Sequence, residues 1–175
     1  MLDATTVVPL PTNEPVRQYV PGSSQRASLE ARVKELASSP VDLTMTVGGE
    51  QRSGSGAPID VVQPHRHSAV LGTTREAGAA DVQAAVAAAQ AAAPAWRALS
   101  YDDRAAVLLR AADLLAGPWR DTLNAATMLG QSKSCYQAEI DAACELIDFL
   151  RFNVAQAGDP RVYAVLRQVM EAGGD

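Results

Sequence analysis

Residues 134–157 read SCYQAEIDAACELIDFLRFNVAQA, and this stretch decides the fold. Ile140, Ala143, Ile147, Leu150 and Val154 recur at the three- and four-residue steps of one helical face. Asp141, Glu145, Asp148 and Arg151 fall off that line. Ser134 with Gln137 forms a capping-box start, and Gly158 supplies the stop. The spacing predicts one helix over 134–157, roughly 36 Å long at 1.5 Å per residue. Its apolar stripe must be covered by other elements.

Working outward, the flanking segments repeat the helical pattern. Trp119, Leu123 and Ala126 predict a helix between Gly117-Pro118, which opens it, and Gly130, which stops it. Ser100 with Asp103 caps another, whose expected stripe is Val107, Leu108, Ala111, Leu114 and Leu115. Val82, Ala85, Val86, Ala89 and Ala93 predict a third, ending at Pro94 and Trp96. Thirteen of the 33 alanines lie in 77–98. Such a helix depends on tertiary packing and lets neighbouring backbones approach closely.

Before residue 75 the period changes. Leu43, Met45 and Val47 alternate with threonines, as a half-buried strand does. Gly48-Gly49 suits a tight turn, and Gly54-Ser55-Gly56 reads as a flexible tip. Ile59, Val61 and Val62 predict a strand ended by Pro64, and Ala69 to Leu71 a further short one. Leu29, Val33 and Leu36 mark a helix over 25–38. Residues 1–24, with Pro9, Pro11, Pro15 and Pro21, read as an extended arm ordered only against something else. Beyond Gly158, Asp159-Pro160 caps a last predicted helix carrying Val162, Val165, Leu166, Val169 and Met170. The expected organisation is an arm and short helix (1–41), a small β element (42–75), a helical block (76–157) and a divergent C-terminal helix (158–175).

Composition excludes several classes. The net charge is −5, with 15 basic residues, no two of them adjacent, so nucleic-acid binding is not expected. No window approaches 18 uninterrupted apolar residues, so no membrane span is expected. Residues 1–22 lack a basic segment followed by an apolar one, so no secretory signal is expected. Two cysteines nine residues apart make no disulfide framework, and a reducing cytoplasm is the expected compartment. Alanine forms 19% of the chain, leaving few large apolar side chains to build a core.

Little chemistry is written in the motifs. There is no phosphate-binding G-x-x-x-x-G-K-[ST], no dinucleotide G-x-G-x-x-G and no G-x-S-x-G elbow. His65 and His67 could share a strand face, but no third ligand lies nearby in sequence, so no metal is assigned. Cys135 sits in a first helical turn near Lys133, and both features lower a thiol pKa. Cys144 is expected to face the core. Glu139, Asp141, Glu145 and Asp148 crowd one helix. They read either as a solvated acidic face or as a group with one carboxylate free to receive a cationic ligand.

The residues also carry a family likeness. Val47-Gly48-Gly49, then Val61-x-x-Pro64, Asp81-Val82-x-x-Ala85-Val86-x-Ala88-Ala89, Trp96 and Arg104-Ala105 follow in order. This resembles the N-terminal region of the aldehyde dehydrogenase superfamily. Ala112 to Pro118, Thr127 to Lys133, and Gln137 to Phe149 with Arg151-Phe152-Asn153 are more specific. They resemble the 1-pyrroline-5-carboxylate dehydrogenase family. The likeness runs to about Ala157 and is firm from residue 42.

The resemblance implies a mostly α chain with a small β ribbon. This is the N-terminal part of an α/β fold, without the Rossmann sheet. In the full family, glutamate semialdehyde is oxidised to glutamate with NAD, in proline breakdown. A cysteine there forms a thiohemiacetal, and a glutamate base helps water release the acid. The family uses a glutamate near the substrate's amino group on the helix matching 134–157, and by motif position that is Glu145. No catalytic, cofactor-binding or metal-binding residue is assigned to this chain. NAD belongs to the full-length family, and none is expected on this chain alone. The expectation is a truncated member, inactive by itself, with exposed apolar stripes. The alternative is an interaction module that docks on homologous dehydrogenase subunits or on itself. A third reading, a small enzyme using Cys135, rests on that thiol's helix-start position.

Overall fold

The computed structural model describes residues 10–159, 161 and 164. Apart from Ala164, the helix predicted over Val162 to Met170 lies outside them. The order is α1 (Ser24–Ser38), β1 (Val41–Asp42), β2 (Met45–Val47), β3 (Glu50–Arg52), β4 (Pro58–Gln63), β5 (Arg66–Arg75), α2 (Ala79–Ala98), α3 (Tyr101–Ala116) and α4 (Arg120–Gln131). A last long helix follows. It opens as α5 (Cys135–Gln137), passes through a π-helical segment (Ala138–Cys144) and ends as α6 (Glu145–Ala157). The described residues are mostly helical with two small sheets.

The predicted caps form. Ser100 Oγ accepts from Asp103 N at 3.1 Å and starts α3. Ser134 and Gln137 close a reciprocal box at α5, with Ser134 N donating to Gln137 Oε1 at 2.9 Å. The C-terminal end of α4 differs from expectation. The helix runs through Gly130, and Ser132 takes the left-handed turn at φ 56°.

β2 and β3 pair antiparallel around Gly48-Gly49, whose φ values are 62° and 86°. Those angles cost glycine nothing and would strain other residues. β4 and β5 form a second antiparallel pair, closed at Gln63–Arg66. β5 is ten residues long rather than the short strand expected at Ala69 to Leu71. Pairing with β4 along one edge and parallel β1 along the other carries it through Thr73 and Thr74.

The Gly54-Ser55-Gly56 tip is held rather than free. The Asp81 carboxylate at the start of α2 accepts from Ser55 N at 2.9 Å, Ser55 Oγ at 2.6 Å and Gly78 N at 2.8 Å. These bonds hold the Asp81 carboxyl below its usual range.

Two helices show other faces than the periodicity suggests. α2 continues through Pro94 to Ala98 and buries none of its residues. Pro94 removes one internal hydrogen bond, and on an uncovered helix the freed carbonyl can bond to water. α3 turns Ala105 and Ala112 inward and leaves Val107 and Leu108 exposed. Small side chains let α3 lie close to α6, where Tyr101 Oη donates to the Val154 carbonyl. The stripe of the long helix is as predicted: Ala143, Ile147 and Val154 are buried.

Gly72 marks the tightest backbone approach. A Cβ there would collide with the Val41 carbonyl oxygen and come within 3.3 Å of Val41 N. Gly72→Ala should therefore force β1 off β5 and lower stability by about 1–3 kcal/mol, as overpacking does. A thermal melt followed by circular dichroism checks this. An unchanged midpoint would show that β1 pairing adds nothing.

Candidate functional site

The arm is anchored on the chain's own helices. Tyr19 is buried with Leu29 of α1 and Ala125 of α4, and its φ is 50°. Asn13 Nδ2 and Glu14 N both donate to the Asp148 carboxylate at 2.7 Å. Over residues 10–23 the something else against which the arm is ordered is the chain's own helices. Their extended backbone leaves amide donors free, and the Glu139 and Asp148 carboxylates accept from Arg17 N and Glu14 N.

At the centre stands Glu139, which is fully buried. Its Oε1 accepts from Arg17 N at 2.7 Å and from Arg120 Nη2. Its Oε2 accepts from Tyr19 Oη at 2.9 Å, Asn124 Nδ2 at 2.7 Å and Arg120 Nε at 3.3 Å. Arg120 also bonds to Glu14 and donates to the Pro15 carbonyl at 2.8 Å. Arg151 Nη1 completes the set with a 2.6 Å contact to Glu14.

Burial alone would raise the Glu139 pKa, but the Arg120 bond, backed by Arg17 N, Asn124 and Tyr19, reverses this and lowers it. Burial likewise opposes the Arg120 charge, yet Glu139 and Glu14 hold the guanidinium protonated. Tyr19 is pushed up to about 12, first by burial and then by its bond to Glu139. Cys144 is pushed up to about 11 by burial.

The periodicity of α4 misses this centre. Its buried residues include Arg120, Asn124 and Thr127, whereas Trp119 is 55% exposed and Ala126 is exposed too. Arg120, Asn124 and Thr127 sit at i, i+4 and i+7, a helical face drawn in polar residues. Glu139 stands four residues before Ala143, in line with the apolar stripe. Those two alignments were the available signals.

The four carboxylates of the long helix separate. Glu139 is consumed at the centre, so the reading of all four as a solvated face does not hold. Asp148 holds the arm, and Asp141 accepts from Lys133 Nζ at 2.8 Å. Glu145, in the first turn of α6, is exposed, and its carboxylate has no hydrogen bond or ion pair among the described residues. Cys135 lines a cleft of about 490 Å³ between the arm, α1 and α4. Its thiol pKa is raised, by burial first and the Glu139 charge second. That corrects the expectation of a thiol activated by Lys133, which pairs with Asp141 instead. His65 Nδ1 lies 2.8 Å from Ser132 Oγ. Among the described residues no three metal-ligating side chains cluster, and no helix is long and apolar enough to cross a membrane.

The described strands include one parallel pair, β1 with β5, and no strand leads through a glycine-rich turn into a helix N-terminus.

Glu139→Gln would leave Arg120 with one fewer charge partner in a buried site, a loss of about 3–5 kcal/mol. Wild-type stability should also depend on pH in two windows. The Glu139 contribution is complete above its ordinary value of 4.5 and is lost as pH falls through the lower folded value. The Tyr19 contribution is complete below 10.0 and drains as pH rises towards about 12. Denaturant melts across pH test both windows, and in Glu139→Gln the acid window should shrink.

Residues 51–169 match the aldehyde dehydrogenase family, a match that passes Ala157. The chain is 41% identical over 153 residues to the Delta-1-pyrroline-5-carboxylate dehydrogenase of Agaricus bisporus, covering 87% of this chain and 28% of that one. It is 39% identical over 145 residues to the mitochondrial enzyme of that name from Homo sapiens, covering 83% and 26%. Among solved structures it is similar to the Delta-pyrroline-5-carboxylate dehydrogenase from Mycobacterium tuberculosis. The TM-score is 0.87 at 62% identity, covering 89% of this chain and 29% of that one. A second structure of that enzyme, bound with NAD and cobalamin, gives 0.88 at 61% identity, covering 90% and 30%. The chain thus spans under a third of the length of these relatives. Its helices and small sheets match the N-terminal part of the aldehyde dehydrogenase fold, as expected.

Proposed function

The chain belongs to the aldehyde dehydrogenase family, and from that premise we propose that it is the N-terminal part of a 1-pyrroline-5-carboxylate dehydrogenase. The whole enzyme would oxidise glutamate semialdehyde to glutamate with NAD, in proline catabolism. The observation that carries this reading is the 62% identity to the Mycobacterium tuberculosis enzyme across 89% of the chain. Residues 1–175 alone are inactive on this reading, because no group among them is assigned to form the thiohemiacetal or to bind NAD. We place the chain in the cytoplasm, a reading supported by its two free cysteines.

Within that enzyme, Glu145 receives the substrate's ammonium group. Support comes from its chemistry: it is the one carboxylate of the four that the chain leaves unpartnered among the described residues. A charge-assisted bond to an ammonium would satisfy it.

A second reading has one observation in its favour. Val82, Val86 and Trp96 of α2 are 51%, 46% and 43% exposed, so the helix offers an uncovered face to a partner. On this reading the chain docks on full-length dehydrogenase subunits or on a second copy of itself. Co-purification with a full-length homologue supports it. A monodisperse monomer that captures no homologue overturns it.

The purified chain should form no NADH from glutamate semialdehyde and NAD. A chimera in which residues 10–157 replace the matching segment of the Mycobacterium tuberculosis enzyme should regain oxidation. In that chimera Glu145→Ala should raise KM by roughly tenfold to a hundredfold, the worth of a hydrogen bond to a charged group. An inactive but folded chimera would sink the family-level function. An unchanged KM would sink the role of Glu145 alone.

A further inference from the structure

The cleft between the arm, α1 and α4 is not used by the proposed reaction. It measures about 490 Å³ and stands open on one side. That volume lies within the usual range for a small-molecule site. Leu29 and Val33 of α1 and Met128 of α4 form apolar walls, with the Cys135 thiol beside them. Leu29 is buried, and Val33 and Met128 are partly buried against the same core cluster. The floor is therefore part of the packed interior.

The charges at the rim are not balanced. Arg17, Arg26, Lys34 and Glu30 are the charged residues that line the cleft. Arg26 Nε takes Glu30 at 2.8 Å, and Arg17 Nη1 lies 3.3 Å from Asp121. The Lys34 ammonium has no hydrogen bond or ion pair among the described residues. The cleft thus joins an apolar trough to one uncompensated ammonium.

We propose that this cleft binds a single-chain anionic amphiphile, with its carboxylate at Lys34 and its hydrocarbon chain along Leu29, Val33 and Met128. An apolar molecule without charge would leave the ammonium unanswered. A cationic amphiphile would meet three basic side chains against one acid. A large hydrophilic anion would leave the apolar walls wet. The carboxylate with a hydrocarbon tail satisfies both parts of the site.

The two cysteines give a direct readout. Cys135 lines the cleft and is partly exposed, whereas Cys144 is buried elsewhere. Alkylation of the native chain by iodoacetamide, followed by mass spectrometry, therefore reports the cleft at Cys135 against an internal control. Decanoate should slow Cys135 alkylation several-fold in a saturable way, while decyltrimethylammonium should leave it unchanged. Lys34→Gln, on the surface, should weaken apparent decanoate binding by roughly 1.5-fold to fivefold, the worth of one exposed ion pair. Val33→Trp should fill the trough and abolish protection, with circular dichroism confirming the fold. If Val33→Trp fails to fold, Lys34→Gln and the cationic probe decide the matter. Equal protection by the cationic probe, no protection by decanoate, or an unchanged affinity in Lys34→Gln overturns the proposal.

Discussion

The fully buried Glu139 carboxylate constrains everything around it. An ionised carboxylate withdrawn from water must find compensating donors, or it is costly to keep. Here the donors come from two places far apart in sequence: Arg17 N and Tyr19 Oη in the arm, and Arg120 and Asn124 on α4. Each requirement then shapes an element. The arm must cross the helices, α4 must turn a polar face inward, and Arg120 must have a second acid, which Glu14 provides. A buried ion pair adds little net stability over apolar packing. We attribute to this one a selecting role, because any other path of the arm strips Arg17 N and Tyr19 Oη from Glu139 and Glu14 from Arg120.

The π-helical segment belongs to the same constraint. Such segments are rare and short, and this one spans Ala138–Cys144, the turns that carry Glu139. At its end Glu145 N donates to the Ile140 carbonyl, a longer step than the α-helical one. The segment holds Glu139 and Cys144 inside while Asp141 reaches Lys133 outside. Past it, α6 resumes with Glu145 at the surface and Ile147 and Val154 in the core.

Much of this was legible in the residues. Ser100, Ser134 and Gln137 announce their caps, Gly48-Gly49 its hairpin, and Ile147 and Val154 their core face. Long runs such as Gln137 to Phe149 carry the family likeness because they are specific over many positions. What was not legible depends on partners distant in sequence. Arg120, Asn124 and Glu139 look like surface residues until they are seen together. The Cys135 thiol looks activated by its helix start, but burial and Glu139 outweigh that local effect. Pro94 looks like a stop, yet a helix with no buried face tolerates it. Val107 and Leu108 look like core, yet Ala105 and Ala112 are what α3 buries.

The contact between Arg151 and Glu14 joins residues 137 positions apart. A ribosome adding 5–20 residues per second makes the second of these roughly 7–27 s after the first. Through that interval the arm has been made but its lock has not. Arg120 emerges earlier and would draw in Glu14 first, with Glu139 following soon after and Arg151 last. The order in which the charges appear is thus written into the chain, and a nascent arm is open to chaperones and proteases until the long helix leaves the tunnel.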